Sequence, residues 1–157
     1  ENLPRRGTYP DDPMFRWMVA GAAPMNRALA LARGEWIAPL DDDDEFTPDH
    51  VEILLGACVG RDLDVAYGVA EMEVRPDIWE PVGEWPPQPG GIVHASVLYS
   101  LALRPMLHSF ESWRLNEPGD WNLWRRMRAA GARFGFVDRV VVKHYLEYRD
   151  VLAEARR

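Results

Sequence analysis

The chain has 157 residues, of which 47% are hydrophobic and 27% charged, a composition typical of a globular domain and not of a disordered segment. Its net charge of −7 at pH 7 argues against a nucleic-acid partner, because phosphate backbones are bound by basic surfaces. A single cysteine, Cys58, excludes an intrachain disulfide and a cysteine-rich zinc site, and no apolar run approaches the roughly 18 residues of a membrane span.

The first third of the chain opens with a polar, proline-rich stretch. We expect residues 1–13 to form a loop or arm, and the apolar run Phe15–Ala20 to form a short strand. Asn26–Arg33 consists largely of strong helix formers and predicts a helix. Gly34 fits the position just after its end.

A strand, an acidic run and a helix are predicted next. Trp36–Leu40 is an apolar run of strand length, and the four aspartates 41–44 follow at its carboxyl end. Thr47-Pro48-Asp49 supplies an N-cap, a proline at the first helical position and an acid in the first turn. We therefore expect a helix over Pro48–Val59.

The middle of the chain combines a strand with a long loop. Asp64–Val74 predicts a strand whose apolar residues change face, which indicates a bulge near Gly68 or Ala70. Residues 75–91 hold five prolines and predict a long loop, a feature that is often functional in compact domains. Ile92–Leu103 predicts a short strand and then a helix.

The last third contains a connecting segment, a helix and a strand. We expect the helix over Asp120–Ala130, the strand over Phe134–His144 and a helical tail over 146–157. Strands that alternate with helices predict an α/β fold with a mostly parallel, mixed sheet flanked by helices. The length of the chain predicts a single domain over 1–157.

The acidic run, Asp41–Asp44, has two interpretations. It is either a solvated loop, in which Asp44 or Thr47 caps the next helix, or half of a metal site. The carboxyl end of a strand is where α/β sheets bind ligands, and no Lys or Arg lies beside the run. Mg²⁺ and Mn²⁺ prefer oxygen ligands and take phosphate oxygens as further ligands. We therefore expect Asp41 and Asp43 to address one cation and the ligand that it carries.

Two segments of the chain resemble a known family. NRALALARGEWIAPLDDDDEFTPDHVEILL, residues 26–55, resembles the central segment of inverting glycosyltransferases of family 2, which have the GT-A fold. EPGDWNLWRRMRAAGARFGF, residues 117–136, resembles the later segment in which an acidic residue opens a helix. The resemblance implies a GT-A-like, Rossmann-like domain.

For the first segment, the resemblance implies roles in donor binding. Asp43 corresponds to the metal ligand of the Asp-x-Asp motif, and Asp41 faces the ribose or the surroundings of the metal. Asn26 and Asp42 are further candidates for contact with the nucleotide-sugar, although Asp42 is only solvated if it points the other way. Asp44 is structural or lies near the acceptor.

For the second segment, the resemblance implies that Asp120 is the general base that deprotonates the acceptor hydroxyl. The family usually has Glu before this Asp, whereas this chain has Gly119, with Glu117 close by. His144 lies where related GT-A enzymes sometimes place a third metal ligand. The structural alternatives are a favourable charge in a first helical turn for Asp120 and a strand-end histidine for His144.

Acceptor contacts are the least constrained part of the prediction. Trp85, Trp113 and Glu117 are candidates, because the apolar faces of sugars pack on indole rings. In a chain with seven tryptophans, packing in the core or in loops is the alternative. We expect His94 and His108 to be ordinary histidines.

The chemistry of sugar transfer matches these residue types. A divalent ion, Mn²⁺ or Mg²⁺, neutralises the leaving diphosphate, and a carboxylate takes the proton of the acceptor hydroxyl. We therefore expect a metal-dependent inverting glycosyltransferase that moves a sugar from a UDP- or GDP-sugar to a glycan or another hydroxyl acceptor. A calcium-binding loop is disfavoured, because the spacing Asp-x-Asp-x-Asp-Gly is missing.

The front of the chain departs from the family pattern. Only 40 residues precede Asp41, no nucleotide-holding turn is recognisable among them, and Met25 replaces the arginine that usually precedes Asn26. We therefore expect an N-terminally truncated or altered domain, and the alternative function is a catalytically inactive fragment or binding domain.

The sequence leaves open whether the chain forms a homo-oligomer. With no signal peptide, the expected location is the cytoplasm, with or without contact at the cytoplasmic membrane face.

Overall fold

A computed structural model of the protein describes residues 9–146; the predicted tail beyond 146 and the first eight residues of the predicted arm lie outside this range. The helices are α1 (Pro13–Val19), α2 (Ala22–Leu31), α3 (His50–Arg61) and α4 (Gly119–Ala129). The strands are β1 (Trp36–Ile37), β2 (Asp44–Phe46), β3 (Val65–Arg75), β4 (Ile78–Val82), β5 (Val97–Ser100) and β6 (Phe134–His144). Single 3₁₀ turns span His94–Ser96, Leu101–Leu103 and Ser112–Leu115.

The chain divides into two compact units. Unit 1 contains residues 1–37 and 99–133, and unit 2 contains residues 38–98 and 134–157, with the structure describing 9–146 of these. Within residues 9–146, none of the helices combines the length and the apolar character that a membrane span needs. A single domain over 1–157 stays a prediction.

Unit 2 is built on a mixed sheet with the strand order β5-β3-β6-β2, and β4 pairs with β3. β3 and β6 are parallel, from Val65 opposite Phe134 to Met72 opposite His144. β4 is antiparallel to β3, and β2 is antiparallel to β6. The prediction of an α/β fold with a mixed sheet is therefore confirmed, and the short strands β2 and β4 supply the antiparallel pairings.

β3 is the central strand of unit 2. Its first six residues, Val65–Ala70, are all buried, as is typical of a strand covered on both faces. The pairing with β6 changes register on both sides of Val69, near the predicted bulge, but the extra residues lie on β6 and not on β3: Tyr67 lies opposite Phe136 and Val69 opposite Val140. At Gly68 a Cβ would lie 2.8 Å from both γ-methyl groups of Val141, so close packing of β6 requires glycine there.

The end of the acidic run belongs to a strand, which the sequence did not predict. β2 pairs with β6 so that Asp44 lies opposite His144 and Glu45 opposite Lys143. Glu45 and Lys143 have opposite charges, and such residues stabilise an antiparallel pair when they face each other; here the two partners are 98 residues apart in sequence.

The helix after β2 starts later than predicted. α3 begins at His50 instead of Pro48 and ends at Arg61, and its N-cap is Asp49 instead of Thr47. Thr47 is occupied elsewhere: its amide and its hydroxyl both donate to the carbonyl of Val141, at 3.0 and 3.2 Å. α3 packs against β3 and β6 and buries Leu54 and Cys58.

The proline-rich segment 75–91 is not a loop throughout. β4 lies within it and forms a hairpin with β3. The turn is held by Glu73, whose carboxylate accepts the amide hydrogen of Asp77 at 2.8 Å, and Asp77 has a positive φ of 61°. The proline count hid the strand, although Pro81 pairs opposite Glu71 inside it.

Unit 1 begins with a helix where a strand was predicted. Phe15–Ala20 was expected to be extended, but α1 covers most of it. The reason is local: Asp12 Oδ1 accepts the amide hydrogens of Met14 and Phe15 at 2.9 and 3.2 Å, and Pro13 occupies the first helical position. α2 likewise begins four residues before the predicted Asn26.

The remaining elements of unit 1 agree with the prediction only in part. β1 is only two residues long and pairs antiparallel with Tyr99–Ser100 at the end of β5. A single 3₁₀ turn stands where a helix was expected at the end of 92–103. α4 and the positive φ of Gly131 after it confirm the predicted helix and its end. Trp124 on its buried face meets Tyr99 edge-on at 5.7 Å.

Candidate functional site

The four aspartates of the acidic run have four different environments. The amide of Asp44 donates to the carbonyl of Asp41 at 3.3 Å, so the run folds into a turn. The side chain of Asp41 is 33% exposed, whereas that of Asp44 is fully buried. Asp42 and Asp43 are exposed at the middle of the turn. The turn thus directs two carboxylates outward and one inward.

Asp41 is paired with a histidine. Its Oδ2 lies 3.1 Å from Nδ1 of His94, which belongs to the 3₁₀ turn before β5. Because an ionised carboxylate only accepts hydrogen bonds, Nδ1 is the donor. The imidazole is largely buried, with 11% of its side chain exposed. His94 was expected to be ordinary, and no local pattern could have connected it with a residue 53 positions away.

Asp44 is paired with the other histidine of interest. Its Oδ1 lies 2.8 Å from Nδ1 of His144, the residue opposite it in the β2–β6 pair. Its Oδ2 is buried and has no hydrogen-bond partner among residues 9–146. A buried carboxylate oxygen without a partner is costly in a folded protein. Oδ2 of Asp44 is therefore an unusual feature of the inward-facing side of the run.

Asp43 carries the electrostatic strain of the run. Partial burial and the neighbouring charges of Asp44, Asp41 and Asp42 raise the pKa of its carboxyl group, while a backbone hydrogen bond opposes the shift. A positive ion beside this exposed carboxylate would relieve the repulsion. The predicted metal role of Asp43 is not tested by these facts and stays a prediction.

Metal binding can be judged from the donor set. Within residues 9–146, no three His, Cys, Asp or Glu side chains are grouped so that they could hold a metal ion. A protein-only cage is therefore missing from this part of the chain. Mg²⁺ needs less, since it is commonly held by one or two carboxylates together with phosphate oxygens and waters. The exposed carboxylate of Asp43 fits that second kind of site.

Asp120 lies in unit 1, in the first turn of α4. Its side chain is half-buried, and its Oδ1 accepts the amide hydrogen of Trp121 at 2.6 Å. A carboxylate in this position is favoured by the helix dipole. The location agrees with the predicted helix start, and the role as a base stays a prediction.

Glu117 is held by a network of charged and polar groups. Its two oxygens accept hydrogen bonds from Nε and Nη2 of Arg125, at 2.7 and 2.9 Å, and Oε2 also accepts from Asn122 at 2.6 Å. The hydrogen bond from Arg125 lowers the pKa of Glu117. This carboxylate joins the segment before α4 to the helix, which gives it a structural role beside the acceptor role predicted for it.

Asn26 also has a structural partner. Its Nδ2 donates to the carbonyl of His108 at 2.9 Å, and its Oδ1 accepts the amide hydrogen of His108 at 2.8 Å. The side chain thus pairs with a peptide group much as a neighbouring strand would. These two hydrogen bonds hold the segment that leads to Glu117. The nucleotide contact predicted for Asn26 stays a prediction.

The two candidate tryptophans differ in exposure. Trp113 is half-buried and packs against Phe15 at a ring distance of 5.2 Å, with the guanidinium of Arg114 over its indole, also at 5.2 Å. Trp85 is 56% exposed, in the segment after β4. Trp85 is the one whose indole a ligand could cover without repacking.

Comparison with known proteins identifies relatives for the fold and for part of the sequence. Residues 17–87 match the family model of glycosyl transferase family 2. A comparison with curated proteins gives no match. The acidic run and its turn lie inside the matched stretch, whereas His94, Asp120 and His144 lie beyond it.

Two solved structures of one protein share the fold. The crystal structure of S. aureus TarS 1-349 in complex with UDP has a TM-score of 0.61 and 15% identity, covering 87% of this chain and 43% of that chain. TarS 1-349 described without UDP has a TM-score of 0.59 and 16% identity, covering 80% and 40%. The chain therefore spans less than half the length of these structures.

These likenesses agree with the sequence resemblance. The structural neighbours confirm the GT-A-like fold, and the family match covers the acidic run and the elements around it. Residues 17–87 are therefore similar to glycosyl transferase family 2, in a fold that this chain shares with its structural neighbours.

Proposed function

We propose that this protein takes part in glycosyl transfer from a nucleotide-diphosphate sugar to an acceptor hydroxyl. The observation that carries the proposal is the acidic turn Asp41–Asp44 inside the stretch that matches glycosyl transferase family 2. Unit 2 would bind the donor through this turn. A UDP-bound structural neighbour supports UDP as the first nucleotide to test.

Donor binding would use a divalent ion, Mn²⁺ or Mg²⁺, with Asp43 as its carboxylate ligand and His144 as a further ligand. The ion would supply neutralisation of the charge that develops on the leaving diphosphate. Support comes from the exposure and raised pKa of Asp43 and from the bond between His144 Nδ1 and Asp44. A carboxylate on Nδ1 orients a histidine ring so that a metal binds through Nε2.

Acceptor activation would use Asp120 as the general base. A carboxylate that takes a proton from a poor nucleophile typically contributes about 10²- to 10⁴-fold to the rate. Support comes from the position of Asp120 in the first turn of α4, where the family resemblance expects an acid. Attack on the face of the sugar opposite the leaving diphosphate would invert the anomeric centre.

A second candidate is a non-catalytic binding domain with the same fold. Two observations favour it: residues 9–146 lack a group of three metal-binding side chains, and Gly119 stands where the family usually has Glu. In that case the acidic turn would be only a solvated loop.

Calorimetry separates the two candidates. UDP and GDP are titrated into the 157-residue chain with and without Mn²⁺, and a panel of UDP- and GDP-sugars is then tested for release of free nucleotide. The transferase proposal expects Mn²⁺-dependent binding and release from one donor. Binding without release from any donor favours the binding domain. If neither nucleotide binds in the presence of Mn²⁺, the transferase proposal fails.

A further inference from the structure

His94 lies outside the stretch that matches the family, yet its ring contacts the first aspartate of the acidic turn. Its Nδ1 donates to Asp41 Oδ2 at 3.1 Å across 53 residues of sequence. The contact joins the segment before β5 to the acidic turn.

The segment that carries His94 is firmly packed in unit 2. Ala95 and Ser96, the two residues after His94, are fully buried, and Ser96 Oγ donates to the carbonyl of Val93 at 2.8 Å. Val93 and Ala95 belong to a core cluster with Ala70 and Val142 from the centre of the sheet. The imidazole thus belongs to a segment that is packed into the core, and its largely buried position restricts its rotamers.

Asp41 itself lacks such support from regular structure. It follows β1 after three residues that belong to no strand, and the acidic turn begins at it. Its side chain is one-third exposed, so its carboxylate also reaches the solvent. A hydrogen bond from a fixed ring restrains this carboxylate, because a directional donor holds one oxygen in place.

We infer that His94 is a positioning residue that fixes the carboxylate of Asp41 for nucleotide-diphosphate binding. The inference rests on the proposed function, because Asp41 is assigned there to the donor-binding turn. His94 touches no reacting atom in this scheme; it acts by holding Asp41 ready before the nucleotide arrives. Hydrogen-bond partners of metal ligands typically change affinity by about tenfold to a hundredfold when they are removed, and we expect an effect of that order for this partner of a donor-binding carboxylate.

The test compares two amides at position 94. In His94→Asn the side-chain nitrogen is attached to Cγ, as Nδ1 is, so the donor to Asp41 is kept. In His94→Gln the nitrogen lies one bond further out, and the donor is displaced. Affinity for UDP with Mn²⁺ is measured by calorimetry, and thermal unfolding is followed for both variants. We expect the Asn variant to bind within about threefold of the parent and the Gln variant to bind about tenfold or more weakly.

A matched control is His50→Asn, which changes another buried histidine of unit 2. His50 bonds through Nδ1 to the carbonyl of Val141, not to the acidic turn. We expect this variant to lower the Tm with little change in UDP affinity.

The outcomes distinguish this inference from the proposed function. If the parent binds UDP with Mn²⁺ but the Gln and Asn variants bind equally, His94 does not position Asp41 and the inference is overturned alone. The same holds if affinity follows the loss of Tm in all three variants, since packing then explains it. If the parent binds neither UDP nor GDP, the proposed function fails first and the inference falls with it.

Discussion

The carboxylates of the acidic turn in unit 2 and the carboxylate of Glu117 in unit 1 are paired in different ways. In unit 2, Asp41 and Asp44 each meet a histidine, which is charged only when it is protonated. In unit 1, Glu117 holds the fork of Arg125, which stays charged at every pH at which the protein is folded. The arginine pair is a permanent structural link, whereas the net charge of each histidine pair depends on whether the imidazole is protonated.

The charge composition of the units follows the same division. Over 9–37 and 99–133, unit 1 has nine arginines and six acidic residues. Over 38–98 and 134–146, unit 2 has 15 acidic residues and four basic ones. The net charge of −7 for the whole chain therefore conceals an acidic unit beside a slightly basic one. We therefore expect variants of unit 2 to change how UDP binding responds to Mn²⁺, and variants of unit 1 to leave that response unchanged.

The largest effect is expected in unit 1, from Asp120→Asn. An amide cannot take a proton from an acceptor hydroxyl, so turnover should fall about 10²- to 10⁴-fold while affinity for UDP with Mn²⁺ is unchanged. Initial rates with the donor found in the panel, together with calorimetry, measure the two quantities. Asp11→Asn, an exposed aspartate of the same unit, is the control. Full turnover in Asp120→Asn would reduce this residue to a favourable first-turn charge.

The next effect is expected in unit 2, from Asp43→Asn. Loss of the carboxylate should weaken binding of UDP by about tenfold or more when Mn²⁺ is present, and hardly at all when it is absent. Calorimetry in the two conditions gives this difference directly. Asp138→Asn, exposed on β6 in the same unit, should behave like the parent. A metal-independent loss would contradict the proposed ligand role.

A smaller effect concerns the permanent pair of unit 1. Glu117→Gln removes the charged hydrogen bonds to Arg125 and should lower the Tm on the order of 5 °C at pH 7. The folded-state pKa of Glu117 is lowered from 4.5, so its contribution is present above that value and is lost as the pH falls through the folded value. The difference in Tm between parent and variant should therefore shrink below pH 4.5.

Glu111→Gln is the matched control for that experiment. Glu111 also pairs with an arginine, Arg114, but at 3.6 Å and with both side chains more than 60% exposed. Such surface pairs contribute little, so the Tm should change by about 1 °C or less. If the two variants lose the same Tm, the network around Glu117 has no special structural role.

The smallest effect is a pH dependence from His50 in unit 2. Burial lowers its pKa from 6.5, although the hydrogen bond to the carbonyl of Val141 and the charge of Asp49 oppose the shift. The unfolded chain binds a proton at this residue before the folded one does, so stability is lost as the pH falls from 6.5 towards the folded value. His50→Asn should lower the Tm at pH 7 but flatten the loss between pH 7 and 5.5. Parallel Tm curves for parent and variant would exclude this contribution.

The parts of the fold that the sequence predicted well are those with a strong local or burial signal. β6 was predicted over its full length because Phe134–His144 is a continuous strand-like run, and α4 because Gly131 follows a run of helix formers. α1 was missed because the apolar pattern of Phe15–Ala20 was given more weight than the Asp12-Pro13 cap before it. β2 was missed because its stabilising partner, β6, is distant in sequence.

In the candidate site, too, the sequence identified the residues with a local signal and missed the contacts between distant segments. The composition and position of Asp41–Asp44 single out the acidic run, and the resemblance adds Asp120. The pairing of His94 with Asp41 and of His144 with Asp44 depends on which segments the sheet brings together over 53 and 100 residues. Strand register is decided by packing of the whole unit, so one sequence without its fold carries no signal for these contacts.

Gly119, where the family usually has Glu, lies close to the backbone of α1. The difference from the family therefore involves two segments of the chain. A Cβ on Gly119 would lie 3.0 Å from the carbonyl oxygen of Met18 in α1, closer than side-chain carbons normally come to such an atom. Glu cannot be restored at this position unless the last turn of α1 moves by a few tenths of an ångström. An engineer who wants the usual family residue beside Asp120 therefore has to allow for a small shift of α1 in the same design.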